Sequence, residues 1–257
     1  MIYWYDGQLF TDSTVALPIN DPALLYGATV FTTLRVYEQD LDHELTQWHD
    51  HCYRLESAIA AFHWQQPNWQ RVRAGAQKLS HPYSAVRRRS LRMTVGQQFP
   101  VLRITIFSDG RELILGRKLP TDLAEKQEKG ITAWLATEGR FQRSFPNQKT
   151  GNYLGSWLAL QTAKEKGAQE AILVDEQGNW LETSTGNLWG WKEGSWWTPP
   201  VNQALAGIAR SRLLSVLKQR KIRVHETIWT PEFVESLEAL GYSNCVVQVI
   251  PIHTVIV

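Results

Sequence analysis

The stretch of residues 149–187 constrains the fold most, because helix and strand signals alternate there over a short distance. We predict a helix over residues 152–166, which ends in basic residues followed by Gly167, a common signal for a helix C-terminus. Two strands, over residues 171–174 and 180–183, follow on either side of a polar turn. A helix followed directly by a hairpin indicates a mixed fold of helices and strands.

A lysine and a glutamate lie at the two ends of this helix–hairpin stretch. Lys149 precedes the helix and Glu182 lies in the second strand, so the hairpin can carry the acid back towards the amine. A pyridoxal 5'-phosphate (PLP) site needs such a pair, because lysine forms a Schiff base with the aldehyde and an acid partners the pyridinium nitrogen. Alternatively, both groups are solvated at the surface, as most Lys and Glu side chains are.

The composition limits the possible classes of function. The chain has 257 residues, 43% of them hydrophobic, and we expect two domains with separate cores. A formal charge of +2 argues against nucleic acid as a partner. Cys52 and Cys245 lack metal-ligand spacing, so we expect no metal site, and reduced thiols in a cytoplasmic protein. No apolar run approaches membrane-spanning length and no signal peptide is seen, so we expect no membrane partner.

A polar segment containing glycine and proline divides the chain. Residues 1–115 are predicted to form a small N-terminal domain, residues 116–122 a linker, and residues 123–257 a larger C-terminal domain. An arginine cluster in the first domain comprises Arg87, Arg88, Arg89 and Arg92. No aromatic or glycine pattern accompanies it, which favours a solvated strand edge over a phosphate site.

Two segments of the first domain carry candidate site residues. Residues 30–37 are rich in β-branched and aromatic side chains and predict a strand, on which the neighbours Thr32 and Thr33 face opposite sides. At most one of them can face a given site, and both can equally be β-branched strand residues without a further role. Arg54 lies off the apolar stripe of a predicted helix. It is either a surface arginine or a phosphate ligand, for which a guanidinium is well suited.

Candidate phosphate contacts also occur late in the chain. Gly207 precedes Ile208 and Ala209 near the start of a predicted helix, where free N–H groups attract phosphate. Capping or close packing is the alternative role for this glycine. Ser243 and Asn244, at the start of the last predicted strand, offer hydroxyl and amide contacts or ordinary turn chemistry.

Six segments, taken in order, resemble the class IV aminotransferase family of PLP enzymes (fold type IV). They span residues 23–252 and include LLYGATVFTTLRVY, HCYRLESA, KTGNYL, the helix–strand run ending in ETSTGNLW, TPPVNQALAGIARSRLL and CVVQVIPI. The resemblance implies an α+β fold of the D-amino acid aminotransferase type with two domains. The first would be a small N-terminal α/β sandwich and the second a larger C-terminal β-barrel-like domain with helices. It also implies a homodimer with the cofactor between the domains.

The resemblance implies a role for each matching residue. Lys149 looks like the Schiff-base lysine, Glu182 like the partner of the pyridine nitrogen, and Arg54 like a phosphate ligand. The other cofactor contacts that it implies are two backbone phosphate donors, two residues near the same cradle, and one residue near the ring hydroxyl, namely Ile208, Ala209, Asn244, Cys245 and Tyr153. Five arginines are candidate ligands for substrate carboxylates: Arg35, Arg103, Arg111, Arg140 and Arg143.

The segment FTTLRV favours one activity within the family. Transaminases of the family usually have an acid at the position of Thr32, whereas some aminodeoxychorismate lyases resemble this chain in having Thr-Thr. The resemblance therefore implies a 4-amino-4-deoxychorismate lyase of folate biosynthesis, with a small-molecule substrate and with 4-aminobenzoate and pyruvate as products. Lys149 would remove the ring proton, and Thr32 or Thr33 would position or protonate the departing enolpyruvyl group. The alternatives are a branched-chain or D-amino acid transaminase and a PLP fold without catalysis.

Overall fold

The computed structural model describes residues 1–81 and 99–257. The arginine cluster, with Arg87, Arg88, Arg89 and Arg92, lies outside these residues. The chain divides into two compact units. The first unit comprises Met1–Leu119 and Thr150–Asn152, and the second comprises Pro120–Lys149 and Tyr153–Val257.

The described residues form strands and helices that are interspersed along the sequence. The strands are β1 (Tyr3–Tyr5), β2 (Gln8–Phe10), β3 (Thr29–Arg35), β4 (Val101–Phe107), β5 (Glu112–Arg117), β6 (Ile131–Ala136), β7 (Glu170–Val174), β8 (Trp180–Thr183), β9 (Asn187–Lys192), β10 (Ser195–Thr198), β11 (Val224–Glu226), β12 (Ala239–Asn244) and β13 (Gln248–Ile256). The helices are α1 (Pro22–Tyr26), α2 (Trp48–Ala61), α3 (Trp69–Ser80), α4 (Leu123–Lys129), α5 (Leu154–Glu165), α6 (Ile208–Gln219) and α7 (Pro231–Glu235).

The first unit is built on a five-stranded antiparallel sheet with the strand order β2-β1-β5-β4-β3. Helices α2 and α3 pack against this sheet. Leu55 and Ile59 lie one turn apart on α2 and share a buried cluster with Val30 and Leu34 of β3. This contact fixes which face of β3 is turned towards α2, and therefore which of its polar side chains can reach that helix.

The start of β3 is closely packed against residues from much later in the chain. The Gly151 amide donates to the Thr29 carbonyl at 2.6 Å, and Val30 forms a bridge with Thr150. A Cβ atom on Gly151 would lie 2.2 Å from Thr29 Oγ1 and 2.7 Å from the Gly27 carbonyl oxygen. No side chain fits at these distances, so the backbone contact requires glycine at position 151.

The second unit is built on an eight-stranded mixed sheet with the order β11-β10-β9-β12-β13-β6-β7-β8. The pairs β6–β7, β6–β13 and β10–β11 are parallel, and the remaining pairs are antiparallel. Helix α5 packs on β6 and β7 through Ala159 and Ala163, which lie in one buried cluster with Trp134 and Leu173. The small alanine side chains let the helix approach the sheet closely, and this places the first turn of α5.

The predicted α+β fold with two domains is confirmed. Two details differ from the sequence prediction. Strand β5 continues into the predicted linker of residues 116–122, because Gly116 and Arg117 still pair with β4. Thr150–Asn152 group with the first unit, although they lie within the predicted second domain of residues 123–257. Among the residues that the structure describes, no helix has the length and apolar character needed to cross a membrane.

Candidate cofactor site

The candidate lysine lies beside a tyrosine in the second unit. Lys149 Nζ is 3.5 Å from the hydroxyl oxygen of Tyr153 and 4.9 Å from the centroid of its ring. Tyr153 precedes α5 as its N-cap residue, and its hydroxyl donates to the Ser184 carbonyl at 3.1 Å. Burial raises the pKa of Tyr153 to about 12, so the hydroxyl keeps its proton at neutral pH. The tyrosine thus links the lysine to the turn between β8 and β9.

The candidate acid is buried and paired with an arginine. Glu182 lies in β8 with 5% of its surface exposed. Its Oε1 accepts from Arg143 Nη1 at 2.7 Å, and its Oε2 accepts from the Leu205 amide at 3.1 Å. Burial raises the pKa of Glu182, while Arg143, the Leu205 amide and the nearby Lys149 act in the opposite direction. The arginine therefore offsets much of the cost of keeping a carboxylate inside the unit.

Arg143 also holds the loop that leads to the lysine. Its Nη2 donates to the Gln148 carbonyl at 2.7 Å and to the Phe145 carbonyl at 3.4 Å. The guanidinium carbon lies 5.3 Å from the Tyr153 ring centroid. One side chain thus contacts the acid, the residue that precedes Lys149 and the tyrosine. The sequence had marked Arg143 only as one of five candidate carboxylate ligands.

The N-terminus of α6 is positioned by an asparagine of β9. Asn187 is buried, and its Nδ2 donates to the Leu205 carbonyl at 2.8 Å. A Cβ atom on Gly207 would lie 2.0 Å from Asn187 Oδ1, so this close approach requires glycine. Gly207 is the N-cap of α6 and has no capping side chain. The amides of Ile208 and Ala209, at the first helical positions, have no acceptors within the helix, as a phosphate cradle needs.

The turn between β8 and β9 contacts the end of β12. Asn244 Nδ2 is 3.3 Å from the Thr185 carbonyl oxygen and 3.4 Å from Thr185 Oγ1. Asn244 Oδ1 accepts from the amides of Val246 and Val247, so the asparagine closes the turn that contains Cys245. The predicted cradle residues Asn244 and Cys245 therefore lie next to the turn that the tyrosine contacts.

Two candidate residues of the first unit, Thr32 and Arg54, contact each other beside His51. Thr32 is fully buried, and its hydroxyl contacts the Arg54 guanidinium and lies 2.6 Å from His51 Nδ1. Because arginine can only donate, the Thr32 oxygen accepts a hydrogen bond from Arg54, and the same hydroxyl forms a hydrogen bond with His51 Nδ1. Thr33 is half-buried and points to the other side of β3. Of the two threonines, Thr32 is the one that contacts Arg54.

The candidate carboxylate ligands differ in their partners. Arg111 binds the buried Asp21 at 2.5 Å and Asp109 at 2.6 Å, and Arg140 binds Glu138 at 3.0 Å. Arg35 lies over the Tyr37 ring at 4.7 Å, and Arg103 lies over the Phe31 ring at 3.5 Å. Arg111, Arg140 and Arg143 thus each balance the charge of an acidic side chain within their own unit.

Several polar residues at these clusters were not identified from the sequence. They are His51, Glu170, Ser184 and Thr185, together with Asn187, for which the sequence predicted no hydrogen bond to Leu205. One signal was available for the turn residues, since ETSTGN is a polar run between two strands whose other residues are mostly buried. Another was the spacing of His51 and Arg54, which puts both on one side of α2.

The groups of the second unit fit the chemistry of PLP. Lys149 supplies a primary amine for the aldehyde, and Glu182 supplies an acid for the ring nitrogen. Each Glu182 oxygen accepts one hydrogen bond, and a carboxylate has about four acceptor positions, so it can accept one more donor. The amides of the first turn of α6, which have no acceptors within the helix, suit a phosphate.

Comparison with known proteins agrees with this chemistry. A model of the amino-transferase class IV family matches residues 29–255. The branched-chain-amino-acid aminotransferase of Escherichia coli (strain K12) is 24% identical over 269 residues, covering 98% of this chain and 84% of the relative. The aminodeoxychorismate lyase of Vibrio harveyi is 21% identical over 262 residues, covering 98% and 90%. The solved structure of a candidate 4-amino-4-deoxychorismate lyase has a TM-score of 0.73 at 25% identity, covering 94% and 90%. The chain belongs to the class IV amino-transferase family, whose cofactor is PLP, as the resemblance predicted.

Proposed function

We propose that this chain is a 4-amino-4-deoxychorismate lyase that releases 4-aminobenzoate and pyruvate. The observation that carries the proposal is the uncharged Thr32–Thr33 pair in β3, where transaminases of the family usually have an acid. Thr32 is fully buried against Arg54 and His51, so a charged side chain at this position would have to be buried as well.

The two threonines receive different roles in this proposal. The Thr32 hydroxyl is engaged by His51 and Arg54, so we assign it to holding the arginine that the resemblance implies as a phosphate ligand. Thr33 lies on the opposite face of β3 and is half-buried. We therefore assign Thr33 to the substrate, with its hydroxyl donating to the ether oxygen of the departing enolpyruvyl group.

The remaining site residues keep the roles that the resemblance implies. PLP, when bound, supplies an electron sink for the carbanion formed at the substrate ring. Lys149 would hold the cofactor aldehyde through its amine and would remove the ring proton of the substrate as a general base. Glu182, charge-balanced by Arg143, would hold a proton at the pyridine nitrogen of the cofactor. The phosphate and ring-hydroxyl contacts are assigned to Arg54, Ile208, Ala209, Asn244, Cys245 and Tyr153.

The proposed reaction balances within these roles. The ring C–H bond and the C–O bond to the enolpyruvyl group break, and the ring becomes aromatic. The ring proton passes to Lys149 Nζ. The enolpyruvyl group leaves with its oxygen, takes up one proton and becomes pyruvate. No oxidant or reductant is needed, and the lysine returns to its starting state after giving up its proton.

A branched-chain aminotransferase is the second candidate. The observation in its favour is that relatives with this name, from Escherichia coli and Pseudomonas aeruginosa, are 24% and 26% identical to the chain, slightly above the 21% of the lyase from Vibrio harveyi. Both activities use an amine-binding PLP site and a lysine base, so the groups of the second unit are compatible with either.

Two parallel assays test the proposal. The protein loaded with PLP is incubated with 4-amino-4-deoxychorismate, and 4-aminobenzoate fluorescence and pyruvate are followed. A second sample receives a branched-chain L-amino acid and an α-keto acid, and amine exchange is followed. We expect the aromatic product and pyruvate in equal amounts in the first assay. Amine exchange without 4-aminobenzoate would replace the lyase by the transaminase.

Valine variants separate the two threonines, because valine keeps the β-branched shape and removes only the hydroxyl. Thr33→Val should lower kcat about 100-fold with unchanged PLP affinity, since it removes a proton donor from the reaction. Thr32→Val should weaken PLP binding about tenfold, since Arg54 loses a hydrogen bond to its charged group. Wild-type turnover and PLP affinity in both variants would refute these roles.

We also propose that the protein is a homodimer in the cytoplasm. Large apolar side chains are exposed in both units, among them Tyr26 at 78% on α1 and Trp157 at 54% on α5. Such exposure is typical of interfaces between chains.

Light scattering should give twice the chain mass of 29.5 kDa, and Trp157→Glu should lower the measured mass towards that of a single chain. A single-chain mass for the wild type would contradict the dimer. Cys52 forms no disulfide, which agrees with a reducing compartment.

A further inference from the structure

A buried glutamate outside the proposed catalytic groups lies at the start of β7. Glu170 is 2% exposed, although it opens a strand whose other residues are all apolar and buried. A carboxylate in such surroundings is unfavourable unless hydrogen bonds stabilise it. Burial accordingly raises the pKa of Glu170, and donation from Ser184 and Thr185 opposes the rise.

Two hydrogen bonds of the Glu170 carboxylate hold the turn between β8 and β9. The Ser184 hydroxyl donates to Oε1 and the Thr185 hydroxyl donates to Oε2. The Ala171 amide also donates to Oε1, at 3.0 Å, and the Ser184 amide donates to the Ala171 carbonyl at 2.8 Å. The start of β7 thus binds Ser184 through side chain and backbone and Thr185 through its side chain.

The same turn contacts two parts of the candidate cofactor site. The Ser184 carbonyl accepts from the Tyr153 hydroxyl, which lies 3.5 Å from Lys149 Nζ. The Thr185 carbonyl and hydroxyl face Asn244 Nδ2. A displacement of this turn would therefore move the tyrosine beside the lysine and the asparagine of the predicted phosphate cradle together.

We propose that Glu170 is a positioning residue for PLP, which acts by fixing the Ser184–Thr185 turn. The inference rests on the proposed cofactor site but not on the choice between lyase and transaminase. The role requires a group that only accepts hydrogen bonds, because the two hydroxyls and the Ala171 amide all donate to it.

Glutamine cannot reproduce this pattern in either orientation of its amide. With its NH₂ at the Oε1 position, two donors would face each other, since the Ala171 amide points there. With its NH₂ at the Oε2 position, Thr185 Oγ1 would face two NH₂ groups, that of glutamine and that of Asn244. The hydroxyl proton of Thr185 would then need a new acceptor. Glu170→Gln keeps nearly the same size and shape. It therefore disturbs the turn only through its hydrogen bonds.

PLP titration of the apo protein tests the proposal, followed by absorbance and visible circular dichroism. We expect Glu170→Gln to bind PLP about tenfold more weakly and with an altered dichroism band. Glu165→Gln, at an exposed position on α5, should match the wild type. Thermal unfolding of the apo forms separates the roles, because a purely structural residue would lower stability without changing the dichroism of bound PLP.

Two further variants apply if Glu170→Gln does not fold. Ser184→Ala and Thr185→Ala each remove one donor, and each should weaken PLP binding in the same direction. Wild-type PLP affinity and dichroism in the folded Glu170→Gln variant, or in both alanine variants, would overturn the inference. Failure of the wild type itself to bind PLP would instead overturn the proposed function, so the two failures are distinguishable.

Discussion

Replacing Lys149 by alanine should lower turnover about 10⁴-fold, at the upper end of the range for a general base, because the amine also holds the cofactor. PLP should still bind through its phosphate, but without a covalent bond to the protein. Borohydride treatment followed by peptide mass spectrometry measures this directly. The wild type should carry the reduced cofactor on the peptide that contains residue 149, and the variant should carry none.

The matched control for this variant is Lys164→Ala. Lys164 is exposed on α5, so its removal should leave both turnover and borohydride labelling at wild-type levels. Labelling of any other lysine in the wild type would contradict the assignment of Lys149. So would wild-type turnover in the Lys149→Ala variant.

Replacing Arg143 by methionine should destabilise the protein by about 3 kcal/mol, because the change leaves a buried carboxylate without its cation. The two side chains are only 6% and 7% exposed, and the carbonyls of Gln148 and Phe145 also lose their donor. Urea unfolding at neutral pH measures the loss. Arg140→Met is the control: its ion pair with Glu138 is 61% and 55% exposed, so the change should be about 0.5 kcal/mol or less.

The pH dependence of the Arg143→Met effect gives a second test. Burial raises the pKa of Glu182 above its ordinary value of 4.5. An acid with a raised pKa stabilises the fold while it is protonated, and that stability is lost as pH rises through the folded-state pKa. The penalty of Arg143→Met should therefore shrink as pH falls from neutral towards 4.5. Adding Glu182→Gln should recover part of it at neutral pH, and a penalty independent of both would refute the pairing.

Local patterns were sufficient to predict the elements that carry the site. The helix expected over residues 152–166 is α5, Leu154–Glu165, and the strand expected over residues 180–183 is β8. Both follow from side-chain periodicity and from turn residues close in sequence. The alternation of a strand likewise predicted that Thr32 and Thr33 would face opposite sides, as they do.

The partners of the buried charges could not be predicted in this way. Arg143 and Glu182 are 39 positions apart, and Glu170 and Ser184 are 14 apart. The Glu170–Ser184 pair depends on how β7 pairs with β8, and the Arg143–Glu182 pair depends on the path of the loop before Lys149. A local sequence pattern specifies neither. Which of Thr32 and Thr33 contacts Arg54 could not be predicted for a similar reason, because it depends on which face of β3 packs against α2.

The assignment of Thr150–Asn152 to the first unit has a consequence for how the protein can fold. During synthesis on the ribosome, the first unit lacks its last segment until the chain has passed Asn152, well after the boundary at Leu119. A nascent chain released before that point would leave the start of β3 without the backbone partners supplied by Thr150 and Gly151. The two units therefore cannot be produced as independent halves by cutting the gene once.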